Sequence, residues 1–227
     1  MGTSKGYIAP TTPNWSKAKR AVTAFAKNGD YASKANAASK YASAMKADMS
    51  TVNSFNSATS RVLGFAQSVA SKGLDGTLRD YNREDLIGKP SDVVWSELLN
   101  DFTNAGATTE DNIAADALSQ GLANLEINDI SKIGDISTEA LLKEMLKEYI
   151  KAHFDFCYEE KISKGRSPMQ TTEVLNKMHE YIENSIDGDL DLSTIKTVDF
   201  TDIKSSDVVK KALYDAYSVF ERYYGEE

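Results

Sequence analysis

Cysteine is almost absent from this chain. Cys157 is the only one in 227 residues, which excludes an intramolecular disulfide and any thiolate-rich zinc site and suits a reducing compartment. Histidine is nearly as scarce, with His153 and His179 alone, so nucleophilic or metal-dependent chemistry has few groups to draw on. No stretch approaches the roughly 18 uninterrupted apolar residues that a membrane-spanning helix requires. Residues 1–13 are small, polar and broken by Gly and Pro, unlike the basic-then-apolar pattern of a secretory signal. These absences predict a cytoplasmic protein with no membrane partner. A glycine-rich phosphate loop is missing too, because Gly88-Lys89-Pro90 and Lys164-Gly165-Arg166 lack both the glycine spacing and the following Ser or Thr.

What is present is the balance of an ordinary globular protein, 41 % apolar and 26 % charged, long enough to bury a core without staples. The net charge of −8 is unevenly spread. Residues 1–50 carry eight Lys/Arg against Asp30 and Asp48, leaving +6 there and −14 in the remainder. A basic segment raises the question of nucleic acid. The positive charges are single lysines separated by Ala and Ser, with only Lys19-Arg20 adjacent, and this pattern argues against nucleic acid as a partner.

Helical signals recur along nearly the whole chain. Residues 2–12 carry two glycines and a proline without periodicity and read as a flexible arm. Thr12 and Pro13 then supply an N-cap and a first helical residue, and Trp15, Ala18, Val22 and Phe25 recur at helical spacing until Asn28-Gly29. Residues 32–72 draw 19 of 41 positions from Ala and Ser. They read as a close-packed helix pair turning near residues 48–51 and stopping at Gly73, or as a partly ordered region that folds on a partner. A further helix is expected from Ser91 as N-cap through Val94, Trp95, Leu98, Leu99 and Phe102. Thr108 with Asp111 forms an acidic capping box for the next, through Ile113, Ala117, Leu118 and Leu122. Residues 126–136 have no long amphipathic run and mark the expected domain boundary.

After Ser137 comes the strongest element. Leu142, Met145, Leu146, Tyr149, Ile150, His153, Phe154 and Cys157 form one wide apolar stripe on a helix of six or seven turns. Gly165 ends it, and Ser167-Pro168-Met169-Gln170 opens another with a capping box and Pro at the first position. Leu190, Leu192 and Ile195 alternate, so residues 190–200 carry the one extended signal. Residues 206–224 form the last helix, burying Val209, Leu213, Tyr217 and Phe220.

Candidate chemistry is thin. His153 and Cys157 at i,i+4 share a helical face as zinc ligands would, but a tetrahedral site needs more ligands, and both fall on the apolar stripe, so a buried structural pair is expected rather than a metal site or a Cys–His dyad. Asp187, Asp189 and Asp191 resemble the start of a calcium loop, yet Leu192 stands where Gly is needed and Val198 where Glu is needed, so these residues read as a turn. Neither a metal nor a cofactor is expected. Met1-Gly2 begins like a myristoylated chain, but Gly6 stands where Ser or Thr is required. Gly2, once Met1 is removed, presents an unhindered α-amine of pKa about 7.7–8.0, part of which is neutral and nucleophilic at cellular pH.

The opening Met-Gly-Thr-Ser-Lys-Gly-Tyr, with the following Pro, Trp15 and the basic helix, resembles the N-terminus of the QatB family, the B component of the bacterial Qat anti-phage defence system. The likeness covers about residues 1–25 and the helical character beyond. It implies a protein that works beside an ATPase, an enzyme resembling a 7-cyano-7-deazaguanine synthase and a TatD-like nuclease, without itself being the catalyst. It further implies Gly2 as an acceptor for the synthase-like enzyme, with Thr3 and Ser4 as recognition residues.

The expectation is therefore an all-α, multi-helix bundle: a flexible arm over 1–12, a helical region over 13–130 and a second over 131–227. Its expected function is that of a non-enzymatic defence component, partner and modification substrate of a deazaguanine-synthase-like enzyme and associate of other defence proteins. The alternative is a self-contained helical module that binds protein or nucleic acid.

Overall fold

A computed structural model describes residues 12–49, 52–201 and 205–222. Among them are eight α-helices, a few short 3-10 turns and no strand: α1 Pro13–Asn28, α2 Tyr31–Ala47, α3 Asn53–Asp80, α4 Ser91–Phe102, α5 Thr109–Asn124, α6 Thr138–Ser163, α7 Pro168–Asp189 and α8 Ser205–Arg222. The expected all-α class is the observed one.

Most helix ends follow their local chemistry. α1 starts on Pro13 after an extended Thr12 and stops at Gly29, whose φ of 68° places it in the left-handed region that Gly enters without strain. Asp30 caps α2 by accepting a 2.7 Å bond from the Ser33 amide. Both expected capping boxes form, Thr108 with Asp111 on α5 and Ser167 with Gln170 on α7.

Gly73 breaks the helical backbone as expected: at φ 72° and ψ 171° it separates two helical stretches of α3, and the Thr77 hydroxyl donates 2.9 Å to its carbonyl at the start of the second. Two expectations need correction. Ser91 is not an N-cap but the first residue of α4, after Pro90. Its hydroxyl serves a tertiary contact instead, donating to Asp129 and accepting from the Ile130 amide. Residues 190–200 contain a 3-10 turn at Ser193–Thr197 rather than a strand. Their alternating apolar side chains are buried, Leu190, Leu192, Ile195 and Phe200 among them. The backbone groups beyond the turn are met by one side chain: the Gln67 amide donates 2.9 Å to the Val198 carbonyl and accepts 2.9 Å from the Phe200 N–H.

The chain divides into two compact units, each drawn from separated stretches. The first comprises Met1–Met49, Ile150–Leu190 and Tyr214–Glu227, and the second Ser50–Tyr149 and Asp191–Leu213. The expected boundary at 130/131 lies inside the second unit.

In the first unit α1 packs on α2, on which Ala37, Ala38, Ala42 and Ala44 are fully buried. Tyr41 is the hub. Its ring meets Trp15, His153, Phe154, Tyr158, Tyr217 and Phe220 edge-on or stacked, with centroids 5.3–6.4 Å apart.

In the second unit α3 is central, packing on α5, α4 and the 3-10 turn Ile130–Asp135. Phe55 stacks on Tyr149 at 4.0 Å, and Phe65, Tyr81 and Phe102 form a second cluster. The turn approaches α3 so closely that a Cβ on Gly134 would stand 2.5 Å from the Ala70 amide nitrogen. Gly134→Ala is therefore expected to destabilise the protein by about 1–3 kcal/mol, since two backbones must separate. Chemical denaturation of the variant checks this; an unchanged midpoint would show that the contact yields.

Candidate functional site

Gly2, Thr3 and Ser4 lie outside the described residues. The described residues that follow them in the chain begin at Thr12, just before α1. There Trp15 is buried and its indole N–H donates 3.3 Å to the Asp48 carboxylate, tying the first turn of α1 to the end of α2.

The pair at His153 and Cys157 becomes a trio. His153 Nδ1 lies 3.1 Å from the Tyr41 hydroxyl and 3.5 Å from the Cys157 sulfur. A neutral imidazole with its proton on Nε2 has one lone pair on Nδ1, and the phenol is the closer and stronger of the two donors. Burial pushes the His153 pKa down to about 4. At neutral pH the ring is uncharged and cannot hold a thiolate beside it, although Cys157 is half-buried rather than fully enclosed as its place on the stripe implied. Among the described residues no group of three or more His, Cys, Asp or Glu stands close enough to hold a metal ion. His179 faces Asp155 instead, at 2.8 Å. α7 runs on through Asp187 to Asp189, and Asp191 accepts from the Ser193 amide, so the three aspartates form no loop around a common centre.

A titratable pair escaped the sequence reading. Glu110, in the first turn of α5, accepts a 2.5 Å bond from the Tyr149 hydroxyl. Burial raises its carboxyl pKa to about 7, against the opposing pull of that bond and with a further push from Asp111. Glu110 at the second position of a helix looks like an ordinary acidic first-turn residue. Only the docking of Tyr149, 39 residues away, makes it different.

The two shifted groups give opposite pH dependence. His153, depressed from 6.5 to about 4, contributes stability that is present above pH 6.5 and lost as pH falls through 4, about 3 kcal/mol in full. Glu110, raised from 4.5 to about 7, contributes stability present below pH 4.5 and lost as pH rises through 7. Glu110→Gln keeps an acceptor for Tyr149 and cannot ionise. It is expected to be more stable than the parent at pH 8, with the difference vanishing at pH 4. Melting curves at the two pH values read this, and equal curves at pH 8 would refute the raised carboxyl.

Neither of the two short basic loops has the glycine spacing and following Ser or Thr of a nucleotide loop. Gly88 has φ 76° and opens the turn before Pro90. In the other loop the Arg166 guanidinium is committed to carbonyls, donating 2.7 Å to Ile162 and also to Ala26. The second unit also holds a cleft of about 480 Å³ lined by Ser60, Arg61, Ser68, Lys72, Tyr81 and Thr201. Its lining is rich in hydroxyls and also carries Asp80. No helix among the described residues is long and apolar enough to cross a membrane.

The family model described as Qat anti-phage system associated protein QatB matches residues 43–220, more than three quarters of the chain. The match takes in the end of α2, all of α3 to α7 and all but the last two residues of α8. No curated protein and no solved structure matches the chain.

Proposed function

Because this chain belongs to the QatB family, and is thereby a component of an anti-phage defence system, we propose that it acts there as a non-enzymatic partner and as a substrate for N-terminal modification. The family match over the helical body carries the reading. The opening Met-Gly-Thr-Ser-Lys-Gly-Tyr supports its finer part, in which Gly2 accepts a deazaguanine from a synthase-like enzyme and Thr3 and Ser4 are read by that enzyme's pocket.

Residue chemistry supports the assignment. A protein tail enters another enzyme's pocket most readily when its side chains are small, and Gly-Thr-Ser meets that need. The Gly2 α-amine titrates near neutrality, so at cellular pH a useful fraction is unprotonated and nucleophilic. On the body, the neutral and buried His153 is poorly placed to activate Cys157, which favours a partner's role over a catalyst's.

Intact mass spectrometry tests the reading. The chain is expressed alone and together with its deazaguanine-synthase-like partner, and the adduct is mapped by peptide. A discrete added mass on the Gly2 peptide, present only on co-expression, is the expected result. An unmodified terminus beside an active partner would overturn the acceptor role.

A further inference from the structure

Cations that are scattered in sequence gather on one face of the first unit. A shallow cleft of about 420 Å³ has Lys27, Lys164, Arg166 and Lys177 and the single carboxylate Glu173 in its lining, together with Gly29 and Gly165. Lys19 and Lys161 adjoin it: burial, and then the ammonium groups of Lys19 and Lys164, hold the Lys161 ammonium below its ordinary pKa. Like charges brought so close raise the energy of the free protein unless an anion is supplied.

The counter-charges on the face are few. Glu160 lies 3.4 Å from Lys164 and Glu173 lies 2.9 Å from Lys177, and both carboxylates are well exposed, so either pair opens at little cost. Arg166 is spent on the Ile162 and Ala26 carbonyls, where it offsets the negative ends of α6 and α1. Among the described residues Lys19, Lys27 and Lys161 have no carboxylate within ion-pair reach. At Gly29 and Gly165 nothing stands within 4 Å of where a Cβ would be, so a bound chain meets open backbone there.

We propose that this face binds the phosphodiester backbone of a nucleic acid. The choice of phosphate over an acidic polypeptide follows from the donors. Carboxylate-bearing peptides are held by free guanidinium forks beside apolar anchors, and the one arginine here is already committed. What remains is a group of lysine point charges at an open cleft, which suits evenly charged phosphates and reads no base. The inference is independent of modification at Gly2.

Fluorescence anisotropy of the full-length chain with a labelled single-stranded oligonucleotide tests it, with the matching duplex and a polyglutamate of equal charge as parallel probes. If three to four phosphates are neutralised, single-strand affinity is expected to fall roughly thirtyfold between about 50 and 200 mM salt. Lys27→Glu with Lys164→Glu is expected to weaken binding at least about tenfold and to flatten the salt dependence, because two contacts are lost. The corresponding double glutamine variant should fall between, and both sites are exposed enough for the melting temperature to stay put. Tighter binding of duplex or of single strand supports the proposal and names the form taken. No binding at low salt, binding of polyglutamate equal to that of either oligonucleotide, or parent-like affinity of the charge-reversed variant would overturn it.

Discussion

Gly2→Glu is expected to abolish phage protection while leaving the melting temperature of the protein unchanged. The expectation separates the two ends of the chain's chemistry. Glycine has no side chain to bury, so the parent residue at position 2 offers the fold no apolar area to lose. Under the proposed acceptor role its α-amine is another matter, because a glutamate at this position would retain Met1 and obstruct a pocket that takes a small residue. Gly2→Ala keeps Met1 removal and a small side chain and should retain part of the protection. Plaque counts on cells carrying the complete defence system, compared with melting curves of the same purified variants, decide the matter. Unchanged protection by Gly2→Glu would remove the N-terminus from the mechanism.

Tyr41→Ala is expected to be the most destabilising single change in the first unit. Tyr41 is fully buried on α2 and touches rings from α1, α6 and α8 together with His153. Truncating a buried aromatic costs about 3–5 kcal/mol, and in a chain of this length that corresponds to a loss of roughly 10 °C in melting temperature. Tyr41→Phe keeps the ring and removes only the hydroxyl opposite His153 Nδ1, so about 1 kcal/mol is expected. A large loss in the alanine variant with a small one in the phenylalanine variant assigns the stability to packing. Equal losses would assign it to the hydrogen bond instead.

Several features of this fold were legible along the chain because they are local. A Ser or Thr three residues before an acid or amide, a proline at the first helical position and a glycine after the last one act within a single turn, and at α1, α5 and α7 the structure repeats them. The stripe on α6 was readable for the same reason, since Leu142, Met145, Leu146, Ile150 and Phe154 lie one face apart on any helix. The misread places are those where a distant group settled the outcome. Ser91, expected as an N-cap, met Asp129 and the Ile130 amide instead, and Gln67 satisfied the backbone on both sides of residue 199 without a neighbouring strand.

The sequence by itself determined the helical class, the positions of most helix ends and the arrest of α1 at Gly29, since each rests on interactions spanning a few residues. Tertiary structure alone decided that His153 meets Tyr41 from 112 residues away, that Glu110 is desolvated beneath Tyr149 and that Lys19, Lys27, Lys161 and Lys164 share one face. Desolvation and Coulomb repulsion depend on distance in space. Lys27 and Lys164, 137 residues apart, carry no mark in sequence that the folded chain will bring them to one cleft.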